Sequence, residues 1–305
     1  MPTALLAGAF GRGDLGAEAL LQAFATALPD WNLAATASNP TSPLSITDLD
    51  VEVVPARRPL ALAARTLRAD AVIVGGGTVF ANGRRPCGLL ANAAVLVGTA
   101  SMLGRPVAMI GVGAGHIAGS LASSYARFVV RHSDLLILGD EASAGRLSGA
   151  GAPGPFRVGA DPTWTLLEPP QGLPSRSERI LIVPSREAAM AIGGIGPFTD
   201  RLVAVIERVA APRVEVWLQA WQQGQPAGVG DDVAIVSALA RRLGDKVGVL
   251  PNPRTLPEAV QTLKSFGAVL SFCFHALIAA GAAGTRVVAV AHEPKMSWLA
   301  SRLGQ

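Results

Sequence analysis

Residues 268–296 read AVLSFCFHALIAAGAAGTRVVAVAHEPKM. Ala268–Ser271 has strand length, the apolar run HALIAAGAAG that follows is a helix opened by His275, and Val287–Val290 is a second strand. The same alternation runs outward to both ends of the chain. Strand-like runs lie at Ala4–Ala7, Asn32–Ala35, Ala71–Val74, Val107–Ile110, Leu135–Leu138, Ile180–Val183, Val214–Leu218 and Val247–Leu250. Helical stretches include Ala17–Ala27, Leu89–Leu103, Leu121–Arg131 and Glu141–Leu147. Continuous apolar strands separated by helices imply parallel sheets covered on both faces, which sets all-β and helical-bundle readings aside. The fold class is therefore α/β.

The segment Leu167–Ser177, LEPPQGLPSRS, lacks periodicity and is rich in Pro and polar residues, so it reads as a linker. It predicts an N-terminal Rossmann-like domain over 1–168 and a C-terminal one over 178–305. Ligands of open α/β sheets sit beyond the carboxyl ends of the strands, so a ligand site is expected in a cleft between the two.

The chain has 305 residues, half of them apolar and 16% charged, enough for a sizeable core. Gly, Pro or a charge interrupts each apolar stretch short of the ~20 residues of a spanning helix. The start, MPTALLAGAF, has no basic n-region, so no signal peptide is expected and the chain is read as cytoplasmic. Cys87 and Cys273 stand far apart, which excludes a disulfide scaffold and a cysteine zinc site. The formal charge is +4, yet the arginines are scattered and the one tyrosine, Tyr125, lies in no basic–aromatic stripe. Nucleic acid is not an expected partner; anionic small molecules are. Arginine carries almost all the positive charge, since the lysines are only Lys246, Lys264 and Lys295.

Three glycine clusters follow strands. The first is GAFGRGDLGAEA, residues 8–19, which includes Gly11, Gly13, Asp14, Gly16 and Glu18. Residues 11–16 satisfy GxGxxG, but AATASNP supplies no acidic residue after the second strand, so a dinucleotide site is disfavoured. A turn that only joins strand to helix is the bland alternative. The others are Gly75-Gly76-Gly77-Thr78 and Gly111-Val-Gly113-Ala-Gly115-His116, and together the three would line one binding edge. Among the histidines His116, His132, His275 and His292 there is no HxxxH or HExxH spacing, so no metal is expected. His132 ends a helix and reads as a cap or surface residue; His292 lies in a loop and reads equally as structural or functional. His275 is the candidate catalyst, with a packed helix-start histidine as its alternative. GxSxG is absent and Cys273 has no sequence-evident activating partner, which leaves nucleophilic hydrolysis without support.

At these residues the chain resembles the polysaccharide pyruvyl transferase family. GAFGRGDLGAEA is similar to that family's GxxGxxNxGDEA, with Asp14 and Ala17 in the Asn and Asp positions. ADAVIVGGGTVFAN (69–82), GRPVAMIGVGAG (104–115), SDLLILGDEAS (133–143), GADPTW (159–164) and residues 271–296 resemble further segments in order. The resemblance implies two Rossmann-like domains similar to GT-B glycosyltransferases. It also implies transfer of a pyruvyl group from phosphoenolpyruvate to a sugar or glycoconjugate as a ketal, in cell-surface polysaccharide biosynthesis and without a cofactor. It places the general acid/base on His275 and an anion-pairing lysine on Lys295. Two family arginines, at the positions assigned to phosphoenolpyruvate, are Gly139 and Cys273 here; Arg12, Arg84, Arg85 and Arg186 are the candidates to replace them.

The leading expectation is a pyruvyl transferase with His275 catalytic and Lys295 and Arg186 supplying charge. Gly11, Gly13, Gly16, Gly76, Gly77 and Gly113 bind the acceptor or its phosphates, and Asp14 and Glu18 meet sugar or nucleotide hydroxyls. The acceptor is a sugar, nucleotide sugar or glycolipid. A transferase with a less anionic donor, and a non-catalytic homologue that binds a sugar nucleotide or a partner protein, are the alternatives.

Overall fold

The computed structural model describes residues 1–37, 49–56, 59–82, 88–170, 175–209, 214–223 and 231–305. Arg84, Arg85, Cys87 and residues 171–174 of the linker lie outside them. The chain divides into two compact units, Met1–Arg12 with Ala17–Thr165, and Gly13–Gly16 with Leu166–Gln305. Chain order puts Gly13–Gly16 in the first unit; their contacts put them in the second.

In the first unit the strands are β1 (Thr3–Ala7), β2 (Asn32–Ala37), β3 (Val51–Pro55), β4 (Ala71–Gly75), β5 (Val107–Val112), β6 (Leu135–Leu138) and β7 (Arg157–Val158). They form one sheet in the order β3-β2-β1-β4-β5-β6-β7, parallel at every pairing. The helices are α1 (Leu15–Ala27), α2 (Pro59–Arg68), α3 (Gly88–Met102), α4 (Ser120–Arg131) and α5 (Glu141–Gly149). Alternation along β1 explains its unbroken apolar reading. Ala4 and Leu6 pack with Leu20, Leu21 and Phe24 on one face. Leu5 packs with Leu90, Val97 and Ala126 on the other.

The second unit holds β8 (Arg179–Val183), β9 (Glu215–Leu218), β10 (Val247–Val249), β11 (Ala268–Ser271) and β12 (Arg286–Ala289) in the order β10-β9-β8-β11-β12. All four pairings are parallel. Its helices are α6 (Arg186–Ala191), α7 (Ile195–Val209), α8 (Asp232–Leu243), α9 (Leu256–Leu263), α10 (Phe274–Ala283) and α11 (Pro294–Arg302). Helix α10 reads as uniformly apolar because Ala276–Ala280 and Ala282 are all buried. It stops at Gly284, whose φ of +67° is the left-handed cap that glycine adopts without penalty.

All ten strand runs read from the sequence are present, and two further strands are not legible there. Strand β3 ends in proline and is only half-buried; β7 has two residues, both exposed. Among the described residues, no helix is long and apolar enough to cross a membrane.

Candidate active site

In the second sheet the strand order reverses between β8 and β11, since β9 and β10 lie on one side and β12 on the other. This switch point is where open parallel sheets bind ligands. The connection after β8 leads through Ser185 to Arg186, the first residue of α6, and the connection after β11 leads through Cys273 to Phe274 and His275, the first two residues of α10. Ser185 caps α6, accepting from Ala188 N at 3.5 Å, and its hydroxyl lies 3.1 Å from Glu187 Oε2. Ser271 fixes the other turn: its hydroxyl donates to Cys273 O at 2.9 Å and accepts from Cys273 N at 3.1 Å. His275 therefore enters the site as the second residue of α10.

The Gly13–Gly16 segment belongs to this site. Leu15 N donates to Trp221 O at 3.1 Å and Gln223 N donates to Gly13 O at 2.9 Å. An antiparallel bridge pairs Asp14 with Gln222. Asp232, 3% exposed, ties the surroundings together. Its Oδ1 accepts from Arg186 N at 2.8 Å and its Oδ2 from Gln222 N at 3.0 Å. Burial pushes its carboxyl well above the usual carboxylate range against the pull of the Arg186 and Gln222 N–H groups, and the charges of Glu187 and Asp14 add to the rise. The Cys273 thiol is also pushed up, by burial first and then by the charges of Asp14 and Asp232. It is a neutral thiol, not a nucleophile. Gln222, 8% exposed, keeps its Oε1 buried without a hydrogen-bond partner among the described residues.

Lys295, the second residue of α11, lies 3.2 Å from Glu293 Oε2 and 4.6 Å from the Phe274 ring centroid. Phe274 in turn meets the His275 ring edge-on at 5.4 Å. His292 is half-buried, and burial lowers its pKa against the opposing charges of Glu293 and Glu187. The structure thus brings His275, Gly13, Asp14, Gly16, Arg186 and Lys295 into one unit.

The remaining expected residues lie in the first unit, Gly11, Gly76, Gly77 and Gly113 on loops after β1, β4 and β5 and Glu18 in α1. Gly11 N donates to Glu18 Oε1 at 2.8 Å. Gly76 N donates to Ile110 O at 3.0 Å, and Gly113 N to Gly77 O at 2.8 Å. The amides of Gly11, Gly76 and Gly113 therefore hold the loops in shape. This differs from the anion cradle expected of free glycine amides. Gly139 packs closely, for a Cβ there would lie 3.2 Å from Gly111 O. A cation at this edge is Arg146, whose Nη1 donates to Ala114 O at 3.2 Å.

Two of the motif segments are structural. Asp140 caps α5 through Ser143 N at 2.8 Å and accepts the Ser143 hydroxyl at 2.6 Å, while Ser143 Oγ accepts from Ala114 N at 2.8 Å. Asp161 Oδ1 accepts from Thr163 N at 2.9 Å and from its hydroxyl at 2.7 Å, closing a turn. His132 caps α4, with Nδ1 2.8 Å from Phe128 O, and His116 is exposed.

Sequence reasoning passes over Asp232, Gln222 and Arg146. The Asp231-Asp232 pair ahead of an apolar helix is a cap signature, the one signal available for Asp232. Among the described residues no group of three or more His, Cys, Asp or Glu is placed to hold a metal ion. Open cavities of about 680 Å³ beside Glu207 and Lys246, and about 360 Å³ beside Arg105 and His132, lie at the amino ends of β9–β10 and β5–β6. They are at the opposite strand ends from the loops that carry the candidate residues, so the switch point is the better candidate.

Solved structures share this fold at low identity. UDP-N-acetylglucosamine 2-epimerase from Rickettsia bellii aligns with a TM-score of 0.55 and 13% identity, over 96% of this chain and 80% of that one. S. aureus MnaA, solved with UDP, gives 0.60 and 11% over 97% and 81%. Phytolacca americana UGT2, solved with UDP-2fluoro-glucose and pterostilbene, gives 0.52 and 12% over 100% and 84%. The fold is thus two parallel-sheet α/β units of the GT-B-like kind. No curated protein sequence matches the chain. The sequence model of one family does, over residues 13–294, a span that runs from the clamped glycine segment to the first residue of α11. The chain belongs to the polysaccharide pyruvyl transferase family.

Proposed function

We propose that the protein transfers a pyruvyl group from phosphoenolpyruvate to two hydroxyls of a sugar or glycoconjugate, forming a ketal and releasing phosphate. The observation that carries this reading is the position of His275 at the switch point of β8 and β11, in one unit with Gly13–Gly16, Arg186 and Lys295. The reaction needs a proton delivered to the enol methylene carbon while a hydroxyl oxygen bonds to the adjacent carbon and loses its own proton. Phosphate then leaves with the electron pair of the broken C–O bond, and the second hydroxyl adds and is deprotonated. His275 is the group that gives and takes these protons. Arg186 and Lys295 supply positive charge for the phosphate and carboxylate. Asp14 accepts from an acceptor hydroxyl. The acceptor is a building block of cell-surface polysaccharide, handled in the cytoplasm.

A second reading keeps the scaffold and the proton transfers but uses a less anionic donor. Its support is that Cys273 lies close to the negative charge of Asp14, and that Lys295 is already paired with Glu293. Calorimetric titration with phosphoenolpyruvate, followed by an assay of phosphate release with a panel of sugar acceptors, separates the two. Micromolar binding lost in Lys295→Ala, with turnover lost in His275→Ala, is the expected result. Absence of binding by folded protein, or full turnover in His275→Ala, overturns the proposal.

A further inference from the structure

We infer that Gly16 is the positioning residue for His275, leaving open the space that the imidazole occupies and so fixing the place of the ring in the site. Its place in a glycine cluster suggests ligand binding; the geometry gives it to the catalyst's side chain. A Cβ built on Gly16 would lie 1.7 Å from His275 Nδ1, 2.1 Å from Cγ and 2.2 Å from Cε1. The ring fills the space that any other residue's side chain needs.

Nothing else about position 16 calls for glycine. It is the second residue of α1, and its φ is not among the positive ones. Alanine in such a place normally stabilises a helix relative to glycine. That preference is overridden here by the ring of His275. The distances to Nδ1, Cγ and Cε1 put the Cβ over the face of the ring at Nδ1, so the imidazole lies flat against the backbone at Gly16.

The seat is held firmly. Gly13 and Leu15 are hydrogen-bonded to Gln223 and Trp221, and Gln222 between them is bound through its N–H to buried Asp232. Gly16 therefore has little freedom to retreat from an added methyl, and the ring of His275 is the group that moves.

This inference rests on His275 being the proton-transfer residue, and its test follows the ring directly as well as the rate. In full-length protein with ¹⁵N-labelled histidine, the His275 ring signals are assigned by their loss in His275→Ala. Gly16→Ala is expected to shift those signals and their pH titration, leaving His116 and His132 unchanged. It should lower kcat on the order of 100-fold, the scale of a misplaced catalytic group, with little change in KM. Thermal unfolding supplies the second arm. Gly16→Ala should lower Tm when His275 is present and raise it in a His275→Ala background, where the methyl has room. If Gly16→Ala fails to fold while Gly16→Ala/His275→Ala folds, the inference also stands. Identical effects of Gly16→Ala in both backgrounds, failure of both variants to fold, or unmoved His275 signals would overturn it. Shifted ring signals together with full activity in His275→Ala would instead refute the proposed catalytic role and leave the seat intact.

Discussion

Asp232→Asn tests whether a buried carboxyl holds the site together as a neutral acid. Its two oxygens receive the N–H groups of Arg186 and Gln222 at 2.8 and 3.0 Å. Asparagine keeps one acceptor oxygen and turns an NH₂ group toward the other donor. One buried N–H then loses its partner, a loss of about 1–3 kcal/mol at low pH. The wild-type carboxyl adds a pH dependence that asparagine lacks. Its folded pKa is raised, so its stabilisation is complete below the unfolded value of about 3.9 and is lost as pH rises toward the folded one. Within that window the unfolded chain has released the proton and the folded one retains it. Wild-type stability therefore falls, relative to the variant, by about 1.4 kcal/mol per pH unit. Urea unfolding followed by tryptophan fluorescence at pH 5, 6, 7 and 8 should show the two stability curves converging as pH rises. Parallel curves, or a wild type that gains on the variant with rising pH, would refute the reasoning. The latter would mean that the two N–H donors outweigh desolvation.

Two further outcomes follow from local geometry. Gly145 lies exposed inside α5 with no positive φ and with nothing within 4 Å of the place a Cβ would take, so Gly145→Ala should stabilise by about 0.5–1 kcal/mol; a loss of stability in chemical denaturation would contradict this. In a Cys87→Ser background the Cys273 thiol should react with a disulfide reagent at least about tenfold more slowly at pH 8 than a free cysteine, because the thiolate is suppressed; reaction at the free-cysteine rate would show that the thiol is not held neutral.

His275 shows how far sequence carries. Ala268–Ser271 and the apolar run after it announce a strand and a buried helix, and the position of His275 at their junction puts it at a carboxyl edge. Nothing local announces Gly16 as its seat, because the two residues are distant in sequence and their contact leaves no periodic trace. The same holds for Asp232, whose partners Arg186 and Gln222 come from different loops. The glycine clusters show the opposite case. Their composition suggests free amides, yet Gly76 and Gly113 use theirs to brace the loops after β4 and β5. Whether an amide is free depends on what packs beside it, not on the residue that carries it.

The sequence alone determined the α/β class, ten of the twelve strands among the described residues and the family resemblance, because period, caps and motif order are properties of short stretches. Strand β3 escaped as a half-buried edge ending in proline, and β7 as two exposed residues, since neither has an apolar run to read. Only the tertiary structure decided that Gly13–Gly16 pack with the second unit, that the His275 ring occupies the space beside Gly16, and that Asp232 is buried among acids. Each of these depends on groups far apart along the chain being pressed together, and steric exclusion and desolvation arise only there.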